Sequence, residues 1–287
     1  MSISAVILSF NSRDDIERCV RSLIEVERLE ARRDQVLVVD NGSVDGSKGL
    51  IEGLSSAFPG LVEGIYLPAN RGTTVSRNLA FAKARGDHIL VIDADIRFER
   101  PVLDHLLDCL AADRSIGIVT PRLVFPDGRP QMSTDVFPTL PRKIERLFRL
   151  RALERQGPVA GGAPHSVDYA ISAFWLMRRN LLARIGPLDE RIFYAPEDVD
   201  YCLRIWLGGD RIVHVPEVAV IHDAKERSRS LKGCLFAWRH VLGLGYFFAK
   251  HRYLWRTQGL YRRIGGHHHH HVAMPGPAVT RQEPAKG

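Results

Sequence analysis

The chain has 287 residues, 45% hydrophobic and 25% charged, with formal net charge +7, which suits one large folded domain with an appendage and excludes a fibrous or disordered chain. Its four cysteines, Cys19, Cys109, Cys202 and Cys234, lie far apart with no C-x-x-C spacing, which excludes a disulfide framework or zinc ribbon and points to a reducing compartment. No uninterrupted apolar run of about 18 residues spans a bilayer, and Ile3 opens a strand with no basic and apolar leader before it, so no secretory signal is expected.

The first half alternates strand and helix patterns. Ser4–Ser9 reads as a short apolar strand; Ser12 with Asp15 resembles a capping box, after which Ile16, Cys19, Val20, Leu23 and Ile24 recur at helical spacing. Gln35–Asp40 is a second buried strand, closed by the turn Asn41-Gly42-Ser43; Asp45–Phe58 is helical, Val62–Leu67 a third strand and Thr73–Ala84 a helix. His88–Ile92, opened by Gly86-Asp87, is a fourth strand that runs straight into Asp93-Ala94-Asp95. This rhythm predicts an α/β fold built on a doubly wound, mostly parallel sheet with right-handed crossovers. Pro101–Ala112 reads as a helix, Ile116–Thr120 as a strand, and Phe125-Pro126-Asp127-Gly128 as a hairpin turn. Residues 133–166, rich in Pro, Gly and Arg, read as a mobile excursion. Order returns with Val167–Met177, the helix Pro196–Leu207, and two short strands, Arg211–Val215 and Val218–His222.

Polar groups close four of these strands: Ser9-Phe10-Asn11, Asp40-Asn41, Asn70-Arg71-Gly72 and Asp93-Ala94-Asp95. Parallel strands bring their carboxyl ends to one rim, where open α/β sheets bind ligands. Neither a G-x-G-x-x-G after the first strand nor a Walker lysine is present, so a nucleotide held here would rest on side chains and a metal instead of a glycine loop. Asp93 and Asp95, one residue apart, share a strand face and can converge on one hard cation, Mg²⁺ or Mn²⁺; taken alone, such a tripeptide more often marks a solvated strand-end turn. Asp40 can accept hydrogen bonds from a base or ribose. Pro196-Glu197-Asp198 opens a helix, where carboxylates are favoured by free N–H groups, and the same acids suit general-base work on a hydroxyl. His222 ends a strand and reads either as a surface residue or as a metal ligand.

Five segments then fall in one order: Ala5–Asn11, Val38–Asp45, Asn70–Asn78, Gly86–Asp95 and Asp189–Arg204. On these the sequence resembles the family 2 glycosyltransferases of GT-A fold, over roughly residues 3–260. Pro126–Ser133 with Phe137-Pro138-Thr139 is similar to the rhamnosyltransferase-like subgroup. Two segments depart: Thr73–Arg77 replaces the aromatic and glycine residues usual after Asn-x-Gly in that subgroup, and Ala195-Pro196 stands where the family commonly has an aromatic before the Glu-Asp pair. The resemblance implies an inverting, metal-dependent transfer of a sugar from a nucleoside-diphosphate donor, with dTDP-rhamnose a candidate, to a glycan or lipid-linked acceptor in cell-surface polysaccharide synthesis. It implies that Asp40 binds the base, with Ser9, Asn11, Asn70 and Arg77 along the same rim. Asp93 would serve the ribose or metal, Asp95 the divalent metal, and His222 would be a further metal ligand. Asp198 would be the catalytic base and Glu197 its acidic neighbour. A sugar-phosphate nucleotidyltransferase is the rival enzyme, but its Gly-rich, Arg-containing loop is replaced by Ser9-Phe10-Asn11-Ser12; a catalytically degenerate nucleotide-sugar binder is the non-enzymatic rival.

The boundaries drawn are a catalytic domain over 1–224, a basic-aromatic helical extension over 225–264, and a disordered tail over 265–287 that holds His267–His271. Residues 225–263 carry ten Lys and Arg against the single acid Glu226; with the +1 of the last 24 residues removed as well, residues 1–224 stand at −3. Leu231, Leu235, Trp238, Leu242, Tyr246, Ala249 and Tyr253 fall on one helical face. The extension therefore reads either as a helix packed on the domain or as a peripheral contact with anionic membrane, and no nucleic acid partner is expected. The expected location is the cytoplasm, with a peripheral position on the inner face of the plasma membrane under the second of these readings.

Overall fold

The strands β1 (Ile3–Ser9), β2 (Gln35–Asp40) and β4 (His88–Asp93) are buried almost throughout, because helices cover the sheet on both faces and leave no polar side to alternate. The computed structural model describes residues 1–31, 34–143, 162–224 and 233–265. The tail from residue 266, residues 144–161 of the excursion and Leu231 lie outside these, as do the side chains of Leu235 and Trp238. Helices α1 (Arg13–Glu27), α2 (Ser47–Ala57) and α3 (Thr73–Lys83) connect β1, β2, β3 (Val62–Tyr66) and β4. Beyond them come β5 (Ile96–Arg97), α4 (Leu103–Ala112), β6 (Ile116–Val124), β7 (Thr134–Asp135), β8 (His165–Val167), β9 (Tyr169–Ala170), β10 (Phe174–Arg178), α5 (Asn180–Ile185), α6 (Glu197–Leu207) and β11 (Arg211–His222). Helices α7 (Gly233–His251) and α8 (Gln258–Arg263) follow.

The sheet runs β3-β2-β1-β4-β10-β6-β11-β5, with β8 also paired to β11. It is parallel from β3 to β4, as the alternation implies, but β10 enters antiparallel between β4 and β6. The two short strands expected after α6 are one strand, β11, whose register to β6 slips between Val215 and Ala219 where Pro216 lacks an N–H. The capping box at Ser12 does not form: its hydroxyl donates to Phe10 O, and Asp15 pairs instead with Arg18 at 2.7 Å.

Two cores flank the sheet. One packs α1, α2 and α4 residues such as Leu23, Ile51 and Leu106; the other packs α6 residues such as Leu203 and Trp206 together with Phe247, Phe248, Leu260 and Ile264. The C-terminal helices thus complete the second core, and burying each of the two phenylalanines contributes about 2–3 kcal/mol. Lys250 Nζ lies 2.8 Å from Asp189 and 2.7 Å from Asp200, while His251 Nε2 lies 2.8 Å from Asp200. The packed face differs from the expected one: Leu242 and Ala249 are exposed, and the helix instead turns Gly243 and Phe247 inward. Gly243 sets this rotation, since a Cβ there would stand 2.3 Å from Ala195 O. No helix among the described residues is long and apolar enough to cross a membrane.

This contact gives two glycines of one helix opposite signs. Gly245→Ala, with nothing within 4 Å of its added Cβ, should raise unfolding stability by about 0.5–1 kcal/mol. Gly243→Ala should lower it by about 1–3 kcal/mol through overpacking. Urea titration measures both; equal gains would mean that α7 does not seat on the segment before α6.

Candidate active site

Parallel pairing assembles one side of the site. Ser9 is the register partner of Asp40, and Leu8 that of Asp93, so three strand ends meet at one rim. Ser9 and Asp40 are buried, and Ser9 Oγ has no hydrogen-bond partner among the described residues. The asparagines shape the loops around them. Asn11, at φ +50, accepts from Val44 N–H at 2.9 Å through its Oδ1. Asn70 Oδ1 accepts from Asn41 Nδ2 at 3.1 Å and from Gly72 N–H at 2.9 Å. Asn41 Oδ1 accepts from Arg71 N–H at 2.8 Å, a bracing role that its place after Asp40 hinted at but did not specify.

At the end of β4 the chain turns through Ala94 into β5, whose Ile96 pairs with His222 of β11. That pairing sets His222 Nε2 3.2 Å from Asp95 Oδ1. Asp93, Asp95 and His222 each offer one ligand atom, and all three atoms lie within 4.8 Å of one another. Two carboxylates and an imidazole are a donor set that Mn²⁺ and Mg²⁺ accept, so these residues fit a divalent cation. Burial works against the imidazolium of His222, but the facing Asp95 carboxylate outweighs it and raises the pKa.

Arg77 does not open on the rim with the other residues of its motif. It is 1% exposed; its Nη2 lies 2.7 Å from Asp93 Oδ1 and 3.0 Å from Ser172 O, and its Nη1 lies 3.5 Å from Glu197 Oε1. One guanidinium therefore joins the rim acids to the acids of α6. Its neighbour Asn78 ties α3 to the segment leading into α6, donating to Leu188 O and accepting from Leu188 N–H, both at 2.9 Å. Gly72, at φ +85, lets Thr73 N–H reach Phe193 O at 2.7 Å; a Cβ there would stand 2.2 Å from that oxygen.

Glu197 is buried and accepts from Ser172 Oγ at 3.1 Å. Burial and then the Asp198 charge push its pKa up to about 8, against the pull of Arg77. Burial also raises Asp198, opposed by the Val199 N–H that it accepts at 2.8 Å and by the nearby Lys143 charge. Loss of water raises Asp93 too, against the pull of Arg77 and with a smaller push from the neighbouring Asp95. Sequence reasoning missed Tyr194: the residue is 46% exposed, but crowding of its phenol and the charges of Glu197, Asp93 and Asp198 lift that hydroxyl to about 12. It supplies an aromatic beside the acids although Ala195-Pro196 separates it from them, and an aromatic three residues upstream of Glu197 was the signal available.

The fold and these residues define a GT-A-type enzyme scaffold with a metal-suited acidic rim facing a helix-borne carboxylate pair. The family model described as "Glycosyl transferase family 2" matches residues 4–186, and the chain belongs to that family. The chain is similar to the pre-mycofactocin glycosyltransferase of Mycobacterium tuberculosis, 29% identical over 233 residues, which are 79% of this chain and 44% of that protein. It therefore spans less than half the length of that relative. It is also similar to the N-acetylglucosaminyl-diphospho-decaprenol L-rhamnosyltransferase of Mycobacterium tuberculosis, 25% identical over 283 residues, with 89% of this chain and 87% of that protein covered. Among solved structures, the mannosyltransferase of Pyrobaculum calidifontis in complex with GDP-Man and Mn²⁺ shares the fold, with TM-score 0.60, 20% identity, and 91% and 67% of the two chains covered.

Glu197 makes stability pH-dependent with a defined sign. Its folded pKa of about 8 lies above the ordinary 4.5, so between these values the folded state keeps a proton that the unfolded state has released. The contribution of Glu197 therefore falls as pH rises through that window. In metal-free protein, Glu197→Gln should be increasingly more stable than the parent from pH 5 to pH 8 and show a constant gap above it. Urea titrations across pH measure the gap; a gap independent of pH would show that the carboxyl is ionised throughout.

Proposed function

We propose that this protein is an inverting, metal-dependent glycosyltransferase that moves a sugar, with rhamnose from dTDP-rhamnose as the first candidate, onto a glycan or lipid-linked acceptor. The observation that carries this reading is the Arg77 bridge, because it sets the acidic rim and the Glu197-Asp198 pair on either side of one guanidinium. A donor diphosphate at the rim and a hydroxyl at α6 would then meet within a single site. Asp93, Asp95 and His222 would hold the divalent cation, which when bound offsets negative charge on the departing diphosphate. Asp40 and Ser9 receive the base and ribose, with the orphaned Ser9 Oγ free to bond there. The loops braced by Asn11 and Asn70 hold that half of the pocket in shape.

Asp198 accepts the proton of the acceptor hydroxyl. The hydroxyl oxygen bonds to the anomeric carbon as the carbon–diphosphate oxygen bond breaks, and one displacement inverts configuration. A base raised by burial suits this, since its proton affinity comes closer to neutral pH. Glu197, neutral below about pH 8, adds no second negative charge against the incoming oxygen and can donate a hydrogen bond to the acceptor. Tyr194 offers that acceptor a ring face beside the acids. The rhamnosyl choice rests on the Pro126–Ser133 motif and on the name of the decaprenol-linked relative. The nucleotidyltransferase rival is disfavoured by the family match.

Asp198→Asn should lower kcat by at least about 10²-fold, the scale of lost general-base catalysis, while nucleoside diphosphate with Mn²⁺ still raises the melting temperature as in the parent. Loss of both would make Asp198 a structural residue. No turnover by the parent across a panel of nucleotide sugars and lipid-linked acceptors would favour the degenerate binder.

The same reading places the enzyme at the cytoplasmic face of an anionic membrane through its C-terminal extension. Residues 239–265 carry six Lys and Arg and no acid, and Val241, Leu242 and Trp255 are 57%, 55% and 63% exposed. Arg252 and Arg256 are exposed beside them in sequence and line one cleft with Arg263. Such a surface suits lipid headgroups, at about 1 kcal/mol per cation near the bilayer. Vesicles of phosphatidylcholine with 30% phosphatidylglycerol should sediment the protein at low salt and release it at 0.5 M NaCl. Replacing Trp255, Arg252 and Arg256 by Ser should abolish sedimentation, and binding indifferent to acidic lipid and salt would exclude this contact.

A further inference from the structure

The hairpin at residues 125–129 belongs to the one sequence motif that the proposed chemistry leaves unused. It is closed by its own hydrogen bonds: Gly128 N–H donates to Phe125 O and Phe125 N–H to Arg129 O, both at 2.8 Å. Gly128 at φ +81 supplies the left-handed turn, and Arg129 pairs with Asp127 at 2.6 Å. The returning segment bridges Pro130 to Val124, and Gln131 N–H donates to Leu123 O at 2.9 Å. Leu123 and Val124 are in turn the register partners of Val220 and Ile221 on β11. The hairpin therefore delivers Gln131 to the end of β11, where its Oε1 lies 2.7 Å from His222 Nδ1.

A neutral imidazole presents a lone pair on one nitrogen only when its proton sits on the other. His222 directs Nε2 toward Asp95 and Nδ1 toward Gln131. We infer that Gln131 is a positioning residue: its amide oxygen accepts the Nδ1–H of His222, fixes the ring and leaves Nε2 as the nitrogen that faces a divalent cation beside Asp93 and Asp95. The inference rests on the reading of those three residues as a metal site. His222 is buried, so an aliphatic side chain at position 131 would strand its N–H without water, an unfavourable state that the ring can escape only by turning or by moving the proton to Nε2. Either escape spoils the ligand. The motif thereby gains a physical task, which is to hold a glutamine over the histidine from outside the rim.

The test measures Mn²⁺ affinity by the electron paramagnetic resonance of the free ion, with dTDP present and no acceptor, in the parent, Gln131→Leu, Gln131→Glu, His222→Ala and the double variant His222→Ala/Gln131→Leu. Gln131→Leu should weaken Mn²⁺ binding by about 10–100-fold, the usual effect of losing the partner of a ligating histidine. Gln131→Glu, which keeps an acceptor oxygen, should bind at least as tightly as the parent. His222→Ala should lose as much as Gln131→Leu or more, and adding Gln131→Leu to it should cost nothing further. Parent-like binding by Gln131→Leu beside a weakened His222→Ala overturns the role of Gln131 alone. Parent-like binding by His222→Ala overturns the ligand reading beneath it. An additive double variant assigns the loss to a distorted hairpin and also overturns the inference.

Discussion

The buried guanidinium of Arg77 is the constraint on which the site depends. A cation that is 1% exposed has lost its water and must be repaid by fixed acceptors, here Asp93, Ser172 O and the more distant Glu197. None of these can move far without stranding the charge, so the end of β4, the start of β10 and the start of α6 are held to one point. This also divides labour among the acids. Asp93 has one oxygen committed to Arg77, Asp95 turns to His222, and Glu197, the most desolvated, holds a proton up to about pH 8.

Helix α3 is the frame that lets Arg77 act. Its first turn is bonded through Thr73 and Thr74 to the backbone of Phe193 and Ile192, and Asn78 pairs with the backbone of Leu188. The segment that carries Tyr194 and the Glu197-Asp198 pair is thus sewn to α3 before α6 begins. From the other side α7 closes on it. Gly243 sits against Ala195, Arg239 stacks 3.9 Å over the Phe193 ring, and Lys250 joins Asp189 to Asp200.

The basic extension consequently does two things with one composition. Some cations, Arg239 and Lys250 among them, are spent inside, the first on the Phe193 ring and the second on carboxylates; His251 and then Lys250 lower the Asp200 pKa against its burial. Others, including Arg252, Arg256 and Arg262, remain exposed. A charge count over the segment cannot separate these sets, because a solvated cation and one paired with a distant acid look alike in a list of residues.

The sequence by itself determined the alternation of strands and helices, the doubly wound sheet, and the rim on which Ser9, Asp40, Asn70 and Asp93 stand, because apolar periodicity and strand-end polarity are local properties that the parallel sheet obeys. It also carried the pairing of Asp95 with the Glu197-Asp198 segment as a resemblance of ordered motifs. What only the tertiary structure decided was where long side chains go. Arg77 reaches across 120 residues of sequence to Glu197, Gln131 lies over His222, β10 enters antiparallel, and α7 turns Gly243 rather than Leu242 to the domain. Each depends on burial and on a partner distant in the chain, and neither period nor propensity encodes a partner. The helical face expected from Leu242, Tyr246 and Ala249 gave way to the close approach that a glycine permits, since backbone contact at Ala195 outweighs a stripe of apolar side chains.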